Sequence, residues 1–78
     1  MVLLRFLSND NGKIRYEYQP ECKGDFGILF YDATTGEGKV EKPASDDPTG
    51  FDGKRAMLSL VDFAENNNFP KEYLRATH

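Results

Sequence analysis

The pair Asn11-Gly12 constrains the fold more than any other feature of the chain. Asn-Gly accepts positive φ at both central positions of a tight turn, the geometry that joins two antiparallel strands. Alternating runs stand on both sides of it. In residues 2–7, Val2, Leu4 and Phe6 share one face. In residues 13–19, Ile14, Tyr16 and Tyr18 alternate with Lys13, Arg15 and Glu17. Period-two alternation marks a half-buried strand. The chain thus starts as a β-hairpin with one apolar face, which a later element must cover.

Pro20 closes the second run, and residues 26–32 form the most apolar stretch. Its Ile28-Leu29-Phe30-Tyr31 core reads as a central strand covered on both faces. A turn over Thr34–Gly38 leads to a short strand at 39–42, where Lys39, Glu41 and Lys42 flank Val40. Such charges suit a sheet edge. Hairpin-length connections make all these strands antiparallel.

A Pro, Ser and Asp-rich connection over 43–50 then leads to a helix, expected at about 52–66. Thr49 or Asp52 is its expected N-cap. Ala56, Met57, Leu60, Val61, Phe63 and Ala64 recur at helical spacing, leaving Lys54, Ser59, Asp62 and Glu65 on the wet side. Asn66-Asn67-Asn68 stops the helix, because Asn tolerates the left-handed conformation. The expected fold is α+β: a four-stranded antiparallel β-meander (2–7, 13–19, 26–32, 39–42) with one C-terminal helix on one face. Residues 1–78 make a single domain, and the tail 67–78 can form a short helical turn through Leu74.

Charge and cysteine content narrow the function. The chain has 10 Lys plus Arg against 13 Asp plus Glu, a net charge of −3. That gives no surplus for duplex binding by counterion release, and it is too small for an acidic mimic of nucleic acid. The single cysteine, Cys22, allows no internal disulfide and fits a reducing cytosol. Residues 1–7 are too short for a membrane span and carry Arg5. A cytoplasmic protein without membrane association is expected.

Catalytic groups are sparse. His78 is the only histidine and the last residue, a poor position for a general base. Cys22 reads as an unreactive loop thiol, and Asp46-Asp47 as a solvated loop near the helix start. Ser8–Gly12 fails as a calcium loop because Leu7 and Tyr18 occupy the ligand positions. Gly53-Lys54 fails as a phosphate loop because Pro48 and Arg55 stand where glycine and Ser/Thr belong. No enzyme, metal or cofactor is expected.

Two resemblances remain. Lys23-Gly24-Asp25-Phe26-Gly27-Ile28-Leu29-Phe30 resembles the aromatic strand of cold-shock and RNA-recognition domains. It implies single-strand stacking on Tyr16, Tyr18, Phe26 and Phe30, with Lys13, Arg15 and Lys23 near the backbone. The inserted Asp25, Ile28 in an aromatic position and the lack of tryptophan depart from that pattern. The competing reading puts Phe26, Ile28 and Phe30 in the core under the helix. Tyr16–Glu21, Asp32–Glu37 and Phe63–Pro70 together resemble small uncharacterised proteins of Firmicutes and their mobile elements. This implies a bacterial or phage origin and assigns no activity.

The leading functional expectation is a non-enzymatic interaction module that binds a protein or itself. Phe26, Phe30, Tyr31, Phe51, Phe69 and Tyr73 exceed what one small core must hide. Exposed aromatics gather at interfaces. Phe69, Tyr73 and Leu74 are the expected contact residues, unless they fold back over the sheet edge. Binding of single-stranded nucleic acid is the alternative.

Overall fold

The computed structural model describes residues 1–76. It is α+β: an antiparallel sheet with one helix packed on it. The elements are β1 (Val2–Asp10), β2 (Lys13–Pro20), β3 (Gly27–Asp32), β4 (Glu37–Lys42), α1 (Phe51–Glu65) and β5 (Glu72–Arg75). The strand order is β4-β3-β2-β1-β5. The first four strands form the expected meander, and β5 is a fifth strand on the outer side of β1.

The Asn-Gly turn forms as the residues dictate. Asn11 has φ 54° and Gly12 φ 88°, and the Asn9 carboxamide accepts the Gly12 N–H at 3.1 Å. The resulting register places Phe6 opposite Tyr16 and Leu4 opposite Tyr18. A bulge at Leu7 shifts the pairing so that Ser8 faces Arg15.

The core lies between the sheet and α1. Val2, Leu4, Ile14, Tyr16, Tyr18, Leu29 and Tyr31 point to the helix, which answers with Ala56, Leu60 and Phe63. The two buried tyrosines satisfy their hydroxyls. Tyr16 donates to the Pro70 carbonyl at 2.6 Å, and Tyr18 donates to Asp47 at 2.8 Å. Burial pushes both hydroxyls up to about 12. The folded value lies above the unfolded one near 10. Their contribution to stability is therefore complete below pH ~10 and lost as pH rises towards ~12. A chemical-denaturation series across that window should show stability falling together with tyrosinate absorbance. Tyr16→Phe should flatten part of the fall.

The start of the helix departs from expectation. Gly50, at φ 74°, is the N-cap, and it makes no side-chain cap bond. Neither Thr49 nor Asp52 takes that role. Asp47 does the capping from a distance, accepting the N–H groups of Asp52 at 3.1 Å and Gly53 at 2.9 Å. The reading of Asp46-Asp47 as a solvated pair is thus corrected: Asp47 is only 5% exposed. Burial opposes its ionisation, but the bonds from Gly53, Tyr18 and Asp52 outweigh it and hold the carboxyl below its ordinary range. Ser59, expected to be wet, is buried because its hydroxyl accepts Arg75 Nη1 at 2.9 Å.

The tail carries the main correction. No helical turn runs through Leu74; residues 72–75 are extended and pair with β1. Asn67 turns the chain at φ 49°, and Phe69-Pro70 favours extension. The Phe6 N–H then donates to the Lys71 carbonyl at 2.9 Å. The outer edge of β1 offered unpaired backbone groups, and that long-range pairing outweighs a weak local helix preference.

One turn stores strain. Glu21 and Cys22 both have positive φ, 55° and 58°, closing a tight turn in which the Lys23 N–H reaches the Pro20 carbonyl at 3.3 Å. Neither residue favours that region. The double replacement Glu21→Asn, Cys22→Gly should raise stability by about 1–2 kcal/mol. Urea denaturation at constant slope would measure it.

Candidate functional site

The sheet has one covered face and one uncovered face, and alternation decides which residues occupy each. On β2, Lys13, Arg15 and Glu17 turn away from the helix. Pairing carries that face onto β3 as Ile28, Phe30 and Asp32, since Arg15 faces Phe30 and Glu17 faces Ile28. Leu3 and Arg5 continue it on β1, and Glu72 and Leu74 on β5. This corrects two expectations. Strand β3 is covered on one face, not two. Phe30 and Ile28 do not lie under the helix; Gly27, Leu29 and Tyr31 do, because the β2 register fixes the phase.

Phe30 is partly buried by its cationic neighbours. The Arg15 guanidinium lies 4.9 Å from its ring centre and Lys39 Nζ 5.8 Å. Arg5 sits over Phe26 at 5.1 Å. Each arginine is also neutralised. Arg15 forms a two-pronged pair with Glu41 at 3.0 and 3.2 Å. That bond raises the guanidinium's pKa and holds Glu41 below the usual carboxylate range. Arg5 pairs with Glu72 at 3.1 Å and lies 3.9 Å from Glu17. The uncovered face is therefore a mosaic of paired charges around two phenyl rings.

The residues expected to stack on bases are divided between the faces. Phe26, Phe30, Lys13 and Arg15 lie on or beside the uncovered face. Tyr16 and Tyr18 are fully buried on the other. Lys23 is exposed in the β2–β3 loop. The chain does not bring the seven together.

The tail residues separate too. Phe69 is partly buried and packs on the core. Tyr73 points to the helix side, where its ring meets Phe63 edge-on at 5.1 Å between centres, yet it stays 42% exposed. Leu74 points to the uncovered face and is 55% exposed. With Leu3, Glu72 and Tyr73 it lines an open groove of about 420 Å³ along the sheet edge.

The two sheet edges are guarded unequally. Strand β4 carries Glu37, Lys39, Glu41 and Lys42, has an irregular register near Ile28/Leu29, and runs into Pro43. These are the usual protections against a further strand. Strand β5 has a regular register and two large exposed side chains. Its backbone phase follows from the Phe6–Lys71 bond. Alternate residues of an antiparallel strand bond to the same neighbour. Tyr73 and Arg75 therefore turn their backbone groups to β1, and Glu72 and Leu74 turn theirs outward.

Exposed apolar surface occurs elsewhere too, including Met1 and Leu7 on β1 and its approach. Phe51 and Leu58 are 60% and 57% exposed on α1, with the Arg55 guanidinium 5.8 Å from the Phe51 ring centre. The sequence reading missed Leu58, which falls outside the helix's apolar stripe. A cleft of about 540 Å³ between β4 and α1 is lined by Lys39, Val40, Gly50, Lys54 and Met57 among others. The helix N–H groups of Asp52 and Gly53 are already taken by Asp47. Cys22 is an exposed free thiol, and His78 lies outside the described residues. Among the described residues no group of three or more His, Cys, Asp or Glu could hold a metal ion. No described helix is long and apolar enough to cross a membrane.

Comparison with protein-family models, curated proteins and solved structures finds no match.

Proposed function

We propose that the chain is a non-enzymatic interaction module that receives a protein strand on the free edge of β5. The observation that carries this reading is the contrast between a charged, irregular β4 edge and a regular β5 edge bearing Tyr73 and Leu74. Strand addition to an open edge draws affinity from backbone hydrogen bonds and specificity from alternate side chains. Here Leu74 offers the apolar contact on one face and Tyr73 on the other. A bacterial or phage origin and a cytoplasmic location belong to the same proposal. The exposed thiol of Cys22 suits a reducing compartment.

A tagged pull-down from bacterial lysate, with and without nuclease, tests it. A stoichiometric protein that survives nuclease should be retained by the wild type and lost with Leu74→Lys. That substitution should shift the melting temperature by less than about 4 °C, because the side chain is exposed. Retention by Leu74→Lys would contradict the reading.

A second reading, single-stranded nucleic-acid binding, draws on Phe30 and its two cationic neighbours. It is weaker because Tyr16 and Tyr18 are buried and Arg5 and Arg15 are paired with carboxylates. It requires oligonucleotide affinity that falls steeply with salt and disappears with Phe30→Ala. The edge reading expects no such affinity.

A further inference from the structure

We propose that the occupant of the β5 edge is a second copy of the chain, paired antiparallel about a two-fold axis at Leu74. The inference rests on the edge reading above and names its partner. Joining two copies this way extends the sheet through β5, with both helices on the same side.

Symmetry and charge select the register. A two-fold axis perpendicular to the sheet keeps the faces matched, so the axis must pass through a residue pairing with its own copy. Strand β5 offers four such centres, Glu72, Tyr73, Leu74 and Arg75. An axis at Glu72 sets two carboxylates opposite each other, and one at Arg75 sets two guanidiniums together. An axis at Tyr73 places Arg75 opposite Lys71 of the other copy. Like charges directly opposite are destabilising. Only the axis at Leu74 opposes no like charges.

That register also fits the open bonding groups. Leu74 and Glu72 carry the outward N–H and C=O, as the Phe6–Lys71 bond implies. Leu74 therefore exchanges both bonds with Leu74 of the second copy, and Glu72 exchanges with Ala76. On the uncovered face, Leu3 lies beside Leu74, so the junction reads Leu3, Leu74, Leu74, Leu3 across the two copies. The second copy's Leu74 enters the groove lined by Leu3, Glu72, Tyr73 and Leu74. On the helix side this register sets Tyr73 opposite Arg75 of the other copy, so no like charges face each other there either.

Sedimentation over about 1 µM to 1 mM, the range of weak and moderate affinities, provides the test. The full chain should dimerise reversibly, and Leu74→Lys should raise the dissociation constant at least about tenfold by placing two ammonium groups at the axis. In a Cys22→Ser background, Leu74→Cys should cross-link to itself under oxidised glutathione. A hydrogen-bonded antiparallel pair sets the Cα atoms about 5.5 Å apart, within disulfide reach. Leu58→Cys, exposed on the helix, is the control and should cross-link far more slowly. A wild type monomeric throughout, with Leu74→Cys no faster than the control, would overturn self-pairing. A dimer indifferent to Leu74→Lys would overturn it as well. Either result leaves the β5 edge open to a different protein. That broader reading falls separately, if Leu74→Lys retains the nuclease-resistant partner.

Discussion

Gly27→Ala is expected to destabilise the domain by about 3 kcal/mol or more, at the upper end of overpacking effects. Gly27 begins β3 and faces the helix layer, opposite Tyr18. A methyl group there would collide with the Lys42 carbonyl oxygen and with Tyr18 Cε1, and would sit 2.6 Å from the Ala44 nitrogen. None of these atoms can step aside cheaply. The two backbone atoms belong to the segment leaving β4, and the Tyr18 ring is held at its hydroxyl by two hydrogen bonds. Total stability for a chain this size is about 4–12 kcal/mol, so a large share would go. Thermal denaturation should show the melting temperature falling by about 12–24 °C. A fall under about 4 °C would mean that the β4–α1 connection moves freely, and the close packing around Tyr18 would lose its structural role.

Asp47→Ala should cost about 3 kcal/mol by a different route. Asp47 closes a buried network: it accepts the Tyr18 hydroxyl at 2.8 Å, while that hydroxyl accepts the Ala44 N–H at 3.0 Å. The same carboxylate caps the helix through Asp52 and Gly53. Removing it leaves one hydroxyl donor and two helix N–H groups without their partner. Tyr18→Phe removes the partner instead, and in a double-mutant cycle the two changes should couple by about 1 kcal/mol or more. The carboxyl's folded pKa lies below its unfolded value. Its stabilisation is therefore present above the unfolded pKa near 3.9 and is lost as pH falls through the folded one. Acid titration of wild type and Asp47→Ala should show the difference between them shrinking below pH ~4. Additive single-mutant losses, with no coupling, would contradict the shared network.

Much of this fold is legible where local chemistry and pattern agree. Asn11-Gly12, the alternation of Ile14, Tyr16 and Tyr18, and the helical spacing from Ala56 to Ala64 each specify their element alone. The failures share one cause: each depends on a partner beyond the reach of the local pattern that was read. The face of Phe30 is set by its register against Arg15, and a continuous apolar run carries no phase of its own. Ser59 is buried because Arg75 reaches it. Asp47 caps a helix that begins several residues later, whereas capping signals are read within one turn. Strand β5 exists because β1 had a free edge, which no local propensity at Glu72–Arg75 announces.

The same dependence governs the candidate surfaces. Of the six aromatics counted as surplus, Phe51 and Tyr73 are exposed, Phe26, Phe30 and Phe69 are partly buried, and Tyr31 belongs to the core. Phe69 went to the core and Tyr73 to the rim of the helix layer. Leu74 stands out because its neighbour across the sheet is Leu3 and no described strand follows it outward. Phe26 and Phe30 share the uncovered face with arginines whose charge Glu17, Glu41 and Glu72 offset. A polyanion would have to displace those carboxylates, whereas a strand docking on β5 displaces none of the face's ion pairs except at Glu72.

The amide spectrum of the isotope-labelled protein separates these surfaces most directly. It would be recorded as protein concentration is raised, and again with a single-stranded oligonucleotide added. Self-pairing at the β5 edge predicts shifts confined to Glu72–Ala76 and to the β1 residues Val2–Arg5, growing with protein concentration and indifferent to the oligonucleotide. Shifts centred on Arg15, Ile28, Phe30 and Lys39 that appear with the oligonucleotide would contradict it and assign function to the uncovered face.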